Sequence, residues 1–270
     1  SLAMPATTYE LNVRTGERRE LKRQPVPGYD PANYVTERLW ATARDGTRIP
    51  VSIVYRKGFR KDGKAALLQY GYGSYGASMD PGFSVTNVGL LDRGVVYALA
   101  HIRGGQEMGR AWYEDGKLLR KQNTFADFID VTDFLVKEGY AAKDRVAALG
   151  GSAGGLLMGA IANMAPECYA GVEADVPFVD ALTSILDPDL PLTVTEWDEW
   201  GDPLHDADVY AYMRSYTPYE NVRAGVTYPR ILAVTSLNDT RVLYVEPAKW
   251  VARLRATTTG DAPILLKTEM

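Results

Sequence analysis

The sequence is poor in two residue types that often carry protein chemistry, cysteine and histidine. Among its 270 residues there is one cysteine, Cys168, and there are two histidines, His101 and His205. A single cysteine excludes an internal disulfide and favours a reducing compartment, so we expect a cytoplasmic protein. We expect Cys168 itself to be a packed structural thiol.

A surplus of basic residues and long apolar runs are also absent. The net charge of −4 gives no support to nucleic-acid binding. No apolar run reaches the roughly 18 residues of a membrane span, and no signal-peptide pattern is present. His, Cys, Asp and Glu show no metal-ligand spacing, so we expect neither a metal nor another cofactor. The composition, 46% hydrophobic and 24% charged, is typical of a globular protein.

Short apolar runs alternate with helical patterns over most of the chain. A hairpin (7–13 and 18–23), a Pro-rich linker (25–31) and a strand pair (39–43 and 49–55) come first. Predicted buried strands follow at 65–70, 95–100, 146–149, 231–235 and 264–268. Predicted helices cover 125–138, 153–165 and 244–256. This alternation predicts an α/β fold with a mostly parallel central sheet flanked by helices.

The segment Gly150–Gly155 fits the G-x-S-x-G pattern of a nucleophile elbow. An apolar strand precedes it and an apolar helix follows, which is the context such an elbow needs. Ser152 is therefore the candidate nucleophile, and the Ala153 N–H at the helix N-terminus is a candidate oxyanion donor. The alternative is an ordinary Gly-rich turn.

Two further loops follow predicted strands. Asp239 comes after the 231–235 strand, where hydrolases of chain order Ser, Asp, His carry the acid. Tyr72 lies in the Gly-rich loop after the 65–70 strand, and its hydroxyl could donate to an oxyanion. The alternatives are a plain Asn-Asp turn and an aromatic loop that only packs.

Neither histidine is suited to be the base of this serine. His101 precedes Ser152 in the chain, and we expect a structural role for it. His205 lies before the acid, in a loop or at a helix start. Because a serine hydroxyl is a weak nucleophile without a base, the sequence predicts a hydrolase site that its own histidines do not complete.

Acidic and large aromatic residues are interleaved at 196–200. Carboxylates beside an apolar wall could bind a guanidinium or ammonium group through paired hydrogen bonds and cation–π contact. The alternative is a surface helix with acids in its first turn.

Together these motifs resemble the prolyl oligopeptidase family of serine peptidases, and its oligopeptidase B branch in particular. The segments that carry the resemblance are 70–76, 100–105, 150–155, 191–192 and 196–201. The resemblance extends from about Tyr34 onward. It implies an α/β-hydrolase catalytic domain over 28–270, without its histidine-bearing C-terminal end. It also implies that 1–27 are a remnant of the last β-propeller hairpin and its linker, the rest of the propeller being absent.

The resemblance implies hydrolysis of short peptides after Arg or Lys. By position, Ser152 is the nucleophile, Asp239 orients the base, and the Tyr72 hydroxyl and Ala153 N–H form the oxyanion hole. The family's histidine lies in a loop beyond the strand that matches 264–268, just past Met270. We therefore expect this polypeptide to be inactive by itself and the longer parent to be a peptidase.

The resemblance also implies acidic substrate subsites. Glu196 and Asp198 match the pair that holds a basic P1 side chain, although the family commonly has glutamate at the second position. Asp80 matches one carboxylate of the P2 subsite. Gly82 stands where a second acid is common, so a basic P2 residue is less directly implied than a basic P1 residue.

Two rival functions remain open. An α/β-hydrolase esterase or acylaminoacyl peptidase would share the elbow but would prefer apolar acyl groups, which the Glu196/Asp198 pair disfavours. A non-catalytic fragment would be consistent with the missing base.

Overall fold

The fold is an eight-stranded sheet with helices, preceded by a separate hairpin. The computed structural model describes residues 1–270. Its strands are β1 Thr7–Leu11, β2 Arg18–Arg23, β3 Tyr34–Thr42, β4 Arg48–Arg56, β5 Leu67–Tyr70, β6 Val96–Ala100, β7 Val146–Gly151, β8 Gly171–Asp175, β9 Arg230–Ser236 and β10 Ile264–Glu269. Its α-helices are α1 Val85–Leu91, α2 Arg110–Glu114, α3 Gln122–Lys137, α4 Ala153–Met164, α5 Ala181–Ile185, α6 Thr193–Trp200, α7 Ala207–Tyr216 and α8 Val245–Thr257.

The strand order of the large sheet is β10-β9-β8-β7-β5-β6-β4-β3. Neighbours from β10 to β6 are parallel, whereas β4 pairs antiparallel with both β6 and β3. The predicted mostly parallel α/β sheet is confirmed. Its inner strands are short and apolar because neighbouring elements cover them, as is usual for parallel sheets.

Helix α4 is the most deeply buried helix of the fold. Eleven of its twelve residues, from Ala153 to Asn163, are buried. It packs on β7, β8 and α3, so its start, where Ser152 lies, is held on several sides. Burial of this kind gives the residue before the helix little freedom to move.

The hairpin β1–β2 projects from the body of the protein. Thr7 is half-buried, and the other residues of both strands are exposed. The residues before it are anchored: Leu2 and Ala3 are buried in a small cluster with Tyr34. The Tyr29 hydroxyl donates to the Ala3 carbonyl at 2.7 Å. Strands β1 and β2 pair antiparallel, so the predicted hairpin is confirmed.

Several elements escaped sequence analysis. Strand β8 carries Glu173 and Asp175 within five residues, so it lacks a clear apolar run. Helix α5 is short and α7 has a mixed face, whereas α6 was predicted only as the alternative interpretation of 196–200. All of these segments lie between the elbow and the acid loop. Residues of α5 and α6, together with residues that follow β8 and precede α6, form one wall of the cavity described below. No helix of the structure combines the length and the apolar character needed to cross a bilayer.

Candidate active site

The predicted nucleophile lies where the strand order reverses. Strand β5 continues toward one edge through β6, and β7 continues toward the other through β8. Crevices form at the carboxyl ends of strands at such switch points. Tyr72 follows β5, Ser152 follows β7 and Asp239 follows β9, so all three lie at this same edge of the sheet.

Glycines make the turn around Ser152 sterically possible. A Cβ on Gly150 would lie 2.5 Å from the Gly154 carbonyl oxygen. A Cβ on Gly155 would lie 2.4 Å from Pro177 Cα, and one on Gly154 would lie 2.9 Å from the Gly71 oxygen. At these glycines the backbones of β7, α4 and the neighbouring loops therefore lie so close together that no Cβ would fit between them. Sequence analysis predicted this elbow, and the strand–turn–helix geometry is confirmed.

A single cavity of about 500 Å³ brings most of the predicted site residues together. Ser152, Ala153, Tyr72, Asp239 and Glu196 all line it. The remaining lining is mostly apolar and comes from the β8–α6 region and from the loop after β9. Such a cavity suits a side chain with an apolar stem and a polar end.

Backbone strain is concentrated at this cavity. Four residues other than glycine have positive φ, and three of them line the cavity: Tyr75 (59°), Ser152 (57°) and Val176 (39°). Left-handed backbone is costly for residues with a Cβ, and most of all for a β-branched valine. Strain of this kind collects at functional sites, where surrounding contacts hold it in place.

The two candidate oxyanion donors flank Ser152. Ala153 is the first residue of α4, so its N–H has no acceptor within the helix. The Tyr72 hydroxyl comes from the loop after β5. Burial raises the pKa of Tyr72, with a further rise from neighbouring acidic groups, and interaction with Ser152 opposes this rise. Tyr72 is therefore a protonated hydrogen-bond donor at neutral pH.

The candidate acid is fixed by its own loop. Asp239 Oδ1 accepts the N–H groups of Arg241 at 2.8 Å and Val242 at 3.0 Å. Oδ2 accepts no hydrogen bond from the 270 residues, although Asp239 lines the cavity. This oxygen is free to receive the N–H of an imidazole.

Both histidines lie away from the cavity lining. His101 is buried, and its Nε2 lies 2.8 Å from Ser52 Oγ. His205 is exposed, and its Nδ1 lies 2.8 Å from Asp202 Oδ2. Neither lines the cavity with Ser152, so the 270 residues place no imidazole beside the candidate nucleophile.

Glu196 is held by two aromatic residues that sequence analysis did not single out for this role. Its Oε2 accepts the Tyr75 hydroxyl at 2.6 Å and Trp200 Nε1–H at 2.8 Å. The rings of Tyr75 and Trp200 meet edge to face at 5.8 Å. Trp200 follows Glu196 by one helical turn, and this i, i+4 spacing was the signal available in the sequence.

The other predicted acidic residues lie outside the cavity. Asp198 is exposed on α6, and Asp80 is exposed in the loop before α1. Glu199, the next residue of α6, is buried instead and accepts the Tyr113 hydroxyl at 2.8 Å. The structure thus brings Glu196 to Ser152 but does not bring Asp198 or Asp80 there. No group of three or more His, Cys, Asp or Glu side chains is arranged to hold a metal ion.

The profile of the Prolyl oligopeptidase family matches residues 81–270. The chain belongs to the prolyl oligopeptidase family. It is 66% identical over its whole length to dipeptidyl aminopeptidase BI of Pseudoxanthomonas mexicana, covering 37% of that protein. It is 51% identical to protease 2 of Moraxella lacunata, covering all of this chain and 39% of that protein.

Solved structures of the family have the same fold. Oligopeptidase B from Leishmania major matches the whole chain with a TM-score of 0.95 at 48% identity, and the match covers 37% of that chain. Oligopeptidase B from Trypanosoma brucei, with covalently bound antipain, matches the whole chain with a TM-score of 0.95 at 44% identity and 38% coverage of its own length. The chain therefore spans a little over a third of the length of these relatives, and the predicted α/β-hydrolase fold is confirmed.

Proposed function

We propose that this chain is the catalytic part of a serine oligopeptidase that cleaves short peptides after Arg or Lys. The observation that carries the proposal is the single cavity in which Ser152, Asp239, Tyr72 and Glu196 meet. Family membership and the similarity to a protease and to oligopeptidase B structures support it. The peptidase chemistry needs one more group, a histidine from outside the 270 residues.

Each group has a distinct role in the proposed reaction. The Ser152 hydroxyl attacks the scissile carbonyl carbon, and the histidine takes its proton. The Tyr72 O–H and Ala153 N–H donate to the oxyanion of the tetrahedral intermediate. The histidine then protonates the leaving amine, and the acyl-enzyme forms. Water takes the place of the amine: it loses a proton to the histidine and attacks the acyl carbon, and the histidine returns that proton to Ser152 Oγ as the acid leaves.

The position of the last strand supports this role for a histidine from outside the 270 residues. Strand β10 runs parallel to β9, with Glu269 beside Ser236. The Glu269 carbonyl accepts the Leu237 N–H at 2.9 Å, two residues before Asp239. A chain that continues past Met270 would leave the sheet beside the loop that carries Asp239, and we propose that Asp239 Oδ2 receives the imidazole N–H there.

Glu196 supports the preference for a basic P1 residue. A guanidinium or ammonium group entering the cavity would meet its carboxylate against an aromatic wall. The resemblance assigns Asp198 to the same subsite, and because this residue lies outside the cavity on α6 we propose that it contributes only through water. We also propose that Asp80 contributes to a P2 subsite when a longer peptide crosses the loop before α1.

We propose the same division of the chain as the sequence suggests, with residues 28–270 as the catalytic domain and 1–27 as the end of a preceding β-propeller. The exposed hairpin β1–β2 supports a packing partner outside the chain. A short basic peptide is the proposed substrate, and the proposed location is the cytoplasm.

The test uses the full-length protein and the 270-residue chain side by side. We expect a blocked Arg-Arg fluorogenic amide to be cleaved by the full-length protein, and Ser152→Ala to abolish cleavage. We expect the 270-residue chain to fall by about 10⁶ in kcat, as other serine peptidases do without their base. Serine-dependent turnover by the chain alone would contradict the need for an outside histidine. A preference of the full-length protein for p-nitrophenyl acetate would favour the esterase alternative.

A second candidate is removal of N-terminal dipeptides, which the name of the 66% identical relative suggests. The two activities differ in their need for a free amino terminus. Equal cleavage of blocked and unblocked Arg-Arg amides would support the oligopeptidase, and cleavage of the unblocked amide alone would support the dipeptidyl peptidase.

A further inference from the structure

A buried lysine lies behind the oxyanion loop. Lys121 is 1% exposed, and its Nζ donates to the Gly73 carbonyl at 2.7 Å and to Ser74 Oγ at 2.6 Å. These two acceptors directly follow Tyr72. An ammonium group is costly to bury away from water, so a buried lysine needs hydrogen-bond acceptors close to its Nζ. Both of these partners belong to the loop that presents the Tyr72 hydroxyl.

The same ammonium group also contacts helix α6. Its Nζ lies 3.4 Å from Glu199 Oε1 and 4.9 Å from the centre of the Trp200 ring. Glu199 is 2% exposed and has its second oxygen bonded to the Tyr113 hydroxyl. The positive charge is thereby balanced by one carboxylate, and each oxygen of that carboxylate has one neighbouring donor.

The loop and the helix are thus joined on two sides. On the cavity side, the Tyr75 hydroxyl bonds to Glu196. On the buried side, Lys121 bridges the loop to Glu199 and Trp200. Trp200 in turn donates to Glu196, so one lysine is linked both to the loop that carries Tyr72 and to the carboxylate proposed to bind substrate.

We propose that Lys121 is a positioning residue that fixes Tyr72 and Glu196 relative to each other through its bonds to Gly73, Ser74 and Glu199. Lys121 does not line the cavity, so it acts through these residues and does not touch the substrate. The proposal rests on the proposed peptidase function. It predicts that loss of the bridge harms transition-state stabilisation and basic-residue selection together.

The test removes the buried charge pair in the full-length protein. The double variant Lys121→Met/Glu199→Gln deletes both charges at once, because removing one alone would leave the other buried and unpaired. The matched control is Lys61→Met/Glu138→Gln, the same two changes at an exposed ion pair with a separation of 3.0 Å. The milder variant Ser74→Ala removes a single acceptor of Lys121.

Kinetics are measured per active site, by titration of the reactive serine, so that loss of folded enzyme does not enter the rates. We expect the double variant to lose 10- to 100-fold in kcat, on an Arg amide and on an apolar ester alike, because a displaced oxyanion donor costs about that much or more. We also expect KM to rise for the Arg amide and not for the ester. Ser74→Ala should show the same pattern at a few-fold, and the exposed control should match the wild type.

The result that overturns the proposal is a folded double variant with kcat and Arg selectivity within twofold of the wild type. If the double variant does not fold, Ser74→Ala decides: unchanged kcat and KM overturn the proposal, and the few-fold pattern supports it. An inactive wild-type protein would overturn the proposed function, and this proposal with it, before any variant is compared.

Discussion

At the residue scale, hydrogen-bond partners decide which carboxylate near Ser152 can receive a cation. Glu199 is neutralised by Lys121, and Asp239 uses one oxygen to accept the backbone N–H groups of Arg241 and Val242. Glu196 accepts only from neutral donors, the Tyr75 hydroxyl and the Trp200 indole. Its negative charge is therefore uncompensated at the cavity wall, which makes it the carboxylate best suited to an incoming guanidinium.

Removing the Tyr75 hydroxyl tests this view of Glu196. We expect Tyr75→Phe in the full-length protein to raise KM for an Arg amide by about fivefold, because Glu196 loses the hydroxyl that holds its carboxylate in place. One hydrogen bond to a carboxylate at a partly exposed site is worth about 1 kcal/mol. The value of kcat should change little. Steady-state kinetics on Arg and Lys amides provide the measurement.

The controls for this variant separate binding from catalysis. Tyr210→Phe removes a hydroxyl from an exposed tyrosine of α7 and should leave both constants unchanged. Tyr72→Phe should show the opposite split, with kcat reduced by 10²–10³ and KM nearly unchanged, because an oxyanion donor acts in the transition state. A Tyr75→Phe enzyme that loses kcat alone would contradict the assignment.

At the scale of elements, the site depends on close backbone approach between β7, α4 and the segment after β8. Gly155 illustrates this, since a Cβ there would lie 2.4 Å from Pro177 Cα. The neighbour is backbone, so it cannot swing aside as a flexible side chain would. The tight turn at Ser152 therefore depends on glycines, which have no side chain, as much as on the serine.

Gly155→Ala should consequently destabilise the 270-residue chain. We expect a loss of about 1–3 kcal/mol in the free energy of unfolding, the usual cost of overpacking a well-packed site. Gly82→Ala is the matched control, because a Cβ at Gly82 meets only the Asp80 carbonyl at 3.9 Å. Chemical denaturation of both variants gives the comparison, and equal stabilities would refute the close-packing argument.

The start of α8 contains a buried acid that ties two walls of the cavity together. Glu246 is 2% exposed and accepts the Asp180 N–H at 3.0 Å and the Ser184 hydroxyl at 2.5 Å. Burial raises the pKa of Glu246 to about 7 from a reference value of 4.5. The folded chain therefore keeps this carboxyl protonated at pH values where the unfolded chain has released the proton.

This shift predicts a stability that falls as pH rises. The contribution of Glu246 to the free energy of unfolding is fully present below pH 4.5 and is lost as the pH rises through about 7. At 1.36 kcal/mol per pKa unit, the loss amounts to about 3 kcal/mol. Gln does not titrate, so Glu246→Gln should gain stability over the wild type between pH 5 and pH 8. Urea unfolding at both pH values measures this gain, and a constant difference would show that Glu246 ionises normally.

Prediction from sequence succeeded where the pattern was local and failed where contacts between distant segments decide. The elbow, the acid loop and the Tyr72 loop each follow a recognisable apolar strand, so Ser152, Asp239 and Tyr72 could be placed at one sheet edge in advance. The directions in which the acidic side chains of α6 point could not be predicted from the sequence. Glu196 and Asp198 are two residues apart, and on a helix this turns them to different faces, toward the cavity and toward solvent. Lys121 was also missed, because a lone lysine before a helix gives no sign of burial.

At the scale of the whole molecule, the N-terminal segment has two parts with different attachments. Leu2 and Ala3 are buried against the sheet near Tyr34, whereas the hairpin β1–β2 is exposed. The two ends of the hairpin lie together, because the Gln24 N–H donates to the Ala6 carbonyl at 2.8 Å. The hairpin can therefore be removed without separating the anchored residues from the rest of the chain.

Replacing residues 7–23 with a short Gly-Ser linker should leave the stability of the 270-residue chain nearly unchanged, because isolated two-stranded hairpins contribute little. Leu2→Asp should lower the thermal midpoint by several degrees instead, since it buries a charge in the cluster with Tyr34. In the full-length protein the linker variant should behave differently and lose stability, because there we propose that the exposed hairpin face packs on the preceding domain. Thermal unfolding of the linker variant in both lengths makes the comparison. If the linker is tolerated equally in both, the hairpin has no packing partner, and the proposed boundary near residue 27 is wrong.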